Sequence, residues 1–112
     1  MNAYRVGFLY ELRAARLVRQ RGYRVLARRY RAGDGEIDLI ARDGDEIVFI
    51  EVKARPDQPL GSGIDAVDAD KRRRVRRAAQ IYRERNGLTD TPCRFDILEF
   101  TRAGVYYMEN AF

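Results

Sequence analysis

The sequence has 112 residues and contains no histidine, no tryptophan, one cysteine and three prolines. Lys53 and Lys71 are its only lysines among 22 basic residues, all the others being arginine. Without imidazole there is no Ser-His or Cys-His nucleophile pair, no histidine general base and no histidine-rich zinc site. The lone Cys93 cannot close an internal disulfide, which suits a reducing cytosolic compartment, and with no histidine to activate it the thiol reads as a small core residue. No apolar run approaches the roughly 18 residues that span a bilayer. Met1 is not followed by the charged and apolar pattern of a signal peptide. A soluble, unexported, cytoplasmic protein with no membrane partner is therefore expected. Any catalysis must come from carboxylates, lysine or a hard metal ion held by oxygen.

What is present is charge. The net charge is +5 and the sequence pI is near 9.7. Two readings stay open: a polyanionic partner such as nucleic acid, or a compositional drift towards arginine that only solvates the surface. The length fits a single domain, 1–112, able to bury a core without disulfides or structural metal. Residues 3–21 read as a helix stopped by Gly22, and 23–30 as a strand. After a turn at Gly33-Asp34-Gly35, residues 36–42 and 46–54 form a hairpin around Asp43-Gly44. Residues 55–63 read as a loop, and a second helix starts after Asp65 or Asp68 and runs to Asn86. Residues 93–101 and 105–110 complete a mixed α/β arrangement of order α-β-β-β-α-β-β, a mixed sheet flanked by helices.

The hairpin carries the most chemistry. With Asp43-Gly44 as a two-residue type I′ turn, Asp38 faces Phe49 and Glu36 faces Glu51, so Glu36, Asp38, Phe49, Glu51 and Lys53 share one face. Asp38 and Glu51 become diagonal neighbours about 7–8 Å apart, close enough to converge on one cation. Residues 47–53 are otherwise apolar, and burying such charges costs several kcal/mol unless they are paired or bind metal. The competing structural reading is a Glu51–Lys53 salt bridge, with Asp38 satisfying backbone donors. On the first helix, at 100° per residue, Tyr4, Gly7, Phe8, Ala14, Ala15 and Val18 lie within about 60° of Glu11, placing a carboxylate in the middle of the sheet-facing side. On the second helix Lys71 opens the apolar stripe of Val75, Ala78, Ala79 and Tyr82, while Arg72, Arg73, Arg74, Arg76 and Arg77 crowd the remaining surface. Lys71 could equally be a half-buried residue whose stem snorkels to solvent.

Gly35-Glu36-Ile37-Asp38-Leu39-Ile40, followed by Val48-Phe49-Ile50-Glu51-Val52-Lys53-Ala54-Arg55, resembles the signature of the YraN-type proteins. These are small bacterial proteins similar to archaeal Holliday-junction resolvases and placed in the PD-(D/E)XK nuclease superfamily. Glu11, Gly22-Tyr23, Lys71, Arg94-Phe95-Asp96 and Asn110-Ala111-Phe112 extend the resemblance over nearly the whole chain. Ile37 stands where the superfamily's name has proline. The resemblance implies a restriction-endonuclease-like α-β-β-β-α-β core and a metal-dependent endonuclease acting on DNA phosphodiesters, with branched or single-stranded DNA favoured as substrate. It implies Asp38 and Glu51 as ligands of Mg²⁺ or Mn²⁺, with the Val52 carbonyl as a third, and no small-molecule cofactor. Lys53 would position or deprotonate the attacking water, Glu11 would complete the acidic cluster through a water, and Lys71 would contact a phosphate. Arg72, Arg73 and Arg76 would bind nucleic acid, Glu36 would be accessory, and Asp96 would be structural, partnering Arg94 or another arginine. Cutting a junction would need two sites and hence a homodimer. The alternative is a non-catalytic nucleic-acid-binding module that keeps the fold and the basic surface.

Overall fold

The computed structural model describes residues 3–55, 57 and 67–112, the side chains of residues 3–6 excepted. The expected loop over 55–63, the candidate cap Asp65 and the Tyr4 side chain therefore lie mostly or wholly outside the described residues. The elements run α1 (Ala3–Gln20), β1 (Arg24–Ala32), β2 (Gly35–Asp43), β3 (Glu46–Ala54), α2 (Ala69–Arg85), β4 (Cys93–Thr101) and β5 (Gly104–Met108). This is the mixed α/β order expected from the sequence, α-β-β-β-α-β, with β5 appended. The five-stranded sheet keeps sequence order, β1-β2-β3-β4-β5. All its neighbours are antiparallel except β3 and β4, which the α2 crossover makes parallel.

The sheet is covered on both faces, which is why β3 is apolar on both sides. Ala14, Ala15 and Val18 of α1 pack with Leu39, Ala41, Val48, Ile50 and Leu98. Val75, Ala78 and Ala79 of α2 pack with Ile37, Ile40, Ile47 and Phe49 on the other face. Asp68 caps α2, its carboxylate accepting from the Lys71 N–H at 2.8 Å. Among the described residues no helix is long and apolar enough to cross a membrane.

Three expectations are corrected. The strand expected over 23–30 begins at Arg24 and runs on to Ala32, leaving Tyr23 ahead of it. The hairpin turns at Gly44-Asp45, because β2 and β3 pair Asp43 with Glu46 and Leu39 with Ile50. Gly44 takes the left-handed φ of +58° and Asp45 a negative φ, the order of a type II′ turn with glycine first. Relative to the type I′ register this slides β3 by two residues, which preserves the faces but puts Glu51 across from Asp38. Finally, Phe8 is not part of the buried face of α1: it is 43% exposed, with Leu9 and Leu12 beside it also exposed.

The β1–β2 turn meets α2 at Gly35, where a Cβ would stand 2.1 Å from the carbonyl oxygen of Arg74. No shift of a flexible side chain relieves a contact with backbone. Gly35→Ala is therefore expected to cost about 2–3 kcal/mol of stability by forcing α2 away from the hairpin. Urea unfolding checks this, with Gly44→Ala as a comparison: that Cβ meets nothing within 4 Å and pays only for its positive φ.

Candidate active site

The site is built where the sheet loosens. Asp38 is the interior residue of β2 that takes no partner in either ladder: β1 pairs with Ile37 and Leu39, and the β3 ladder stops at Leu39 and Ile50. The β1 residue facing this point is Arg29, held at a φ of +51°. The Asp38 carboxylate reaches across to β3 and accepts from the Val52 N–H at 2.8 Å. It thereby satisfies a backbone donor and at the same time stands beside Glu51.

Glu51 is 1% exposed, and neither of its oxygens receives a hydrogen bond. Its nearest cation is the Lys71 ammonium, 3.3 Å from Oε2 but off the hydrogen-bond direction. The structural alternative of a Glu51–Lys53 bridge is thus replaced by a Glu51–Lys71 pair that joins β3 to α2. Lys71 remains 31% exposed, with its stem along the helix–sheet seam. Burial, and then the neighbouring Asp38 charge, push Glu51 up to about 7, against the opposing pull of Lys71 and Lys53. Asp38 is raised by burial as well, although the Val52 N–H, Lys71 and Lys53 favour its ionised form. Two desolvated acids and two lysines thus act on one another, an arrangement typical of sites that hold cations or move protons.

The remaining candidates sort by distance from this pair. Glu11 is 9% exposed, as its place on α1 predicts, and is felt by Asp38 as a like charge. Its Oε2 is bound by the Arg29 Nε at 2.6 Å, so it faces the site as half of an ion pair. Among the described residues no group of three or more His, Cys, Asp or Glu is close enough to form a ready metal cage. Glu36 pairs with Arg31 at 3.4 Å and lines a cavity with Lys71 and Arg74, a place beside the cluster. Val52 belongs to the site through its N–H. On α2, Arg72 donates to the Val67 carbonyl and lies over Phe112, Arg73 is held by Asp34 and Asp70, and Arg76 lies over Phe95.

Two residues near the site escaped the sequence reading. Arg29 was one more arginine in a basic strand, and its role depends on a backbone conformation that no local pattern announces. Glu99 is fully buried and in register with Lys53 on the parallel ladder. Its signal was available, an acid inside the apolar run Ile97-Leu98-Glu99-Phe100. Asp96 is structural as expected, fully buried and gripped by Arg94 at 3.0 and 3.2 Å.

Residues 10–100 match the family described as "Uncharacterised protein family UPF0102". The chain belongs to the UPF0102 family. A UPF0102 protein of Moorella thermoacetica is 46% identical over 98 residues, covering 88% of this chain and 82% of its own length. UPF0102 protein STH1475 of Symbiobacterium thermophilum is 47% identical over 95 residues, covering 85% and 80%. A UPF0102 protein of Lachnoclostridium phytofermentans is 38% identical over 113 residues, covering 100% of this chain and 96% of its own. UPF0102 is the family to which the YraN-type resemblance leads. The matched span begins one residue before Glu11 and contains Asp38, Glu51, Lys53 and Lys71, so all of these candidate residues lie within it.

Proposed function

We propose that this UPF0102 protein is a PD-(D/E)XK-type endonuclease that hydrolyses DNA phosphodiester bonds with a divalent metal ion, on branched or single-stranded DNA in the cytoplasm. The observation that carries the reading is Glu51: a buried carboxylate with both oxygens free of hydrogen bonds, across from a second acid and flanked by two lysines. Like charges buried together are costly unless a cation sits between them, and these oxygen donors fit Mg²⁺ or Mn²⁺. Asp38 and Glu51 would hold the ion, with the Val52 carbonyl as a third donor. A divalent ion there supplies charge neutralisation at the scissile phosphate and eases deprotonation of water.

The chain's own residues do the rest. The Val52 N–H fixes one Asp38 oxygen, so this acid presents a defined orientation. Lys53, half-buried on the same face as Glu51, would orient the attacking water through Nζ or, as the free amine, accept its proton, a role an always-protonated arginine fills poorly. Lys71 pairs with Glu51 and, once that charge is otherwise satisfied, is free to meet a phosphate oxygen. Cutting a four-way junction symmetrically takes two such sites and therefore a homodimer.

The test is incubation of the pure protein with labelled four-way junctions, flaps and single strands, with Mg²⁺ or Mn²⁺, beside Glu51→Ala and Lys53→Ala. Wild type should cut, and each variant should lose at least about a hundredfold in rate, as expected when a general acid–base group or a metal ligand is removed. Equal cleavage by all three proteins, or none by wild type with either metal, would sink the proposal. Salt-sensitive, metal-indifferent binding without turnover would identify a non-catalytic nucleic-acid-binding module instead.

A further inference from the structure

The arginines of α2 are not equivalent. Arg73 is spoken for by Asp34 at 3.0 Å and Asp70 at 3.1 Å, and Arg74 by Asp70 at 3.2 Å. Arg72 and Arg76 have no carboxylate partner among the described residues. They are one turn apart, about 6 Å along the helix axis, on the edge of α2 that borders β4. Each lies over an aromatic ring: Arg72 is 5.9 Å from the centre of Phe112, and Arg76 is 5.5 Å from that of Phe95. The two rings pack together at 5.3 Å, and Phe95 is backed by Phe49 at 5.3 Å. The Ala111 N–H donates to the Phe95 carbonyl at 2.8 Å, pinning the segment that carries Phe112 against β4. A groove of about 450 Å³ runs past Arg76, Cys93 and Phe95, and it adjoins, through Arg76 and Gln80, a second of about 600 Å³ that includes Arg72.

We propose that this edge is a track for an unpaired nucleic-acid strand, with Phe95 and Phe112 as stacking platforms for bases and Arg72 and Arg76 as phosphate contacts. The inference deepens the nucleic-acid reading above and rests on it for the identity of the polyanion. The aromatic pair decides between strand forms. A duplex offers phosphates that any arginine of α2 could meet, whereas part-buried rings beside guanidiniums that have no carboxylate partner among the described residues are matched by bases free to leave their stack. Phe112 is thus a binding residue outside the carboxylate pair.

Fluorescence anisotropy in EDTA, where nothing is cut, tests this with a labelled oligothymidine and a duplex of the same length across a salt series. Wild type should bind the single strand more tightly than the duplex. Phe112→Ala should weaken strand binding at least about fivefold, the loss of one stacked base, and leave duplex binding unchanged. Phe112→Leu, which keeps the packing but not the ring face, should lose as much, and Phe112→Tyr should retain affinity. Arg72→Gln and Arg76→Gln should each lower the salt slope by about 0.7, and Arg73→Gln should not. A duplex preference, full affinity in Phe112→Leu, or an equal slope change in Arg73→Gln would overturn the track. An uncleaving protein with this binding profile keeps the track and loses the nuclease, and a nuclease indifferent to Phe112 does the reverse.

Discussion

Glu51→Gln is expected to abolish cleavage and, at pH 8, to unfold about 5–10 °C above wild type, a gain of about 1–2 kcal/mol for a domain of this size. A carboxylate that is both a proposed metal ligand and a buried charge without a hydrogen-bond partner produces this pairing of effects. Burial and the Asp38 charge lift Glu51 from its ordinary 4.5 to about 7. Between those values the folded protein keeps a proton that the unfolded chain has released. The stabilisation associated with this group is therefore complete below about pH 4.5 and disappears as the pH rises through 7. At about 1.4 kcal/mol for each pH unit, the displacement corresponds to about 3 kcal/mol. Part of this is returned in the variant, because the Gln amide inherits a poorly hydrogen-bonded site and Lys71 loses its partner. Lys71 is partly exposed and can turn to solvent, so the net effect stays positive.

Thermal scans of wild type and Glu51→Gln without added metal, at pH 5 and pH 8, check the sign. The two should nearly coincide at pH 5 and separate at pH 8, with wild type the less stable. Added Mn²⁺ at pH 8 should then raise the wild-type midpoint and leave the variant's unchanged, since only the native site with its second acid binds the ion. Coincident curves at pH 8 would mean that Glu51 carries no desolvation burden, and the argument for a cation site would fall with it. Asp38→Asn should gain less than Glu51→Gln, because the Asp38 carboxylate also serves the Val52 N–H.

The sequence makes the ingredients of this site legible and leaves its assembly hidden. An acid and a lysine two residues apart in an otherwise apolar strand, an acid centred on the sheet-facing side of α1 and a lysine at the head of the α2 stripe are all departures from hydrophobic patterning. Patterning is what a single sequence displays best. Elements with strong periodicity or sharp boundaries, β3 and β4 among them, fall where expected. The register did not, because an Asp-Gly pair suits a type I′ turn while the chain uses the following Gly44-Asp45 as a type II′ turn. The Asp38–Glu51 pairing survives since a slip of two residues preserves the face. The Glu11–Arg29 pair depends on the positive φ of Arg29, and Phe8 stays 43% exposed with the Arg29 guanidinium as its neighbour. Both follow from tertiary placement, which local pattern does not encode.

Arg94→Ala is expected to have the largest effect on stability, a loss of about 3–5 kcal/mol, because it strands a charge in the core. The guanidinium grips Asp96 with Nε, reaches Asp43 at 2.9 Å and Glu46 at 2.8 Å with Nη1, and meets the Tyr23 hydroxyl at 2.7 Å with Nη2. Asp96, fully buried, would keep only the Tyr107 hydroxyl and the Asn110 N–H. Arg94→Lys keeps the charge but not the planar fork, and should lose about 2 kcal/mol or more. Adding Asp96→Asn to Arg94→Ala should recover part of the loss, since the amide removes the stranded charge, and the double-mutant cycle measures that coupling. Urea midpoints decide: a loss within about 1 kcal/mol in Arg94→Ala would show that the network is dispensable. Arg94 stands opposite Val48, three residues before Glu51 on the same strand and about 10 Å away. By tying the β2–β3 turn to β4 and to Tyr23, it holds the register that sets Asp38 across from Glu51. Arg94→Lys should therefore lower stability at pH 5 and pH 8 alike, and so separate a structural defect from the pH-dependent signature of the carboxylate pair.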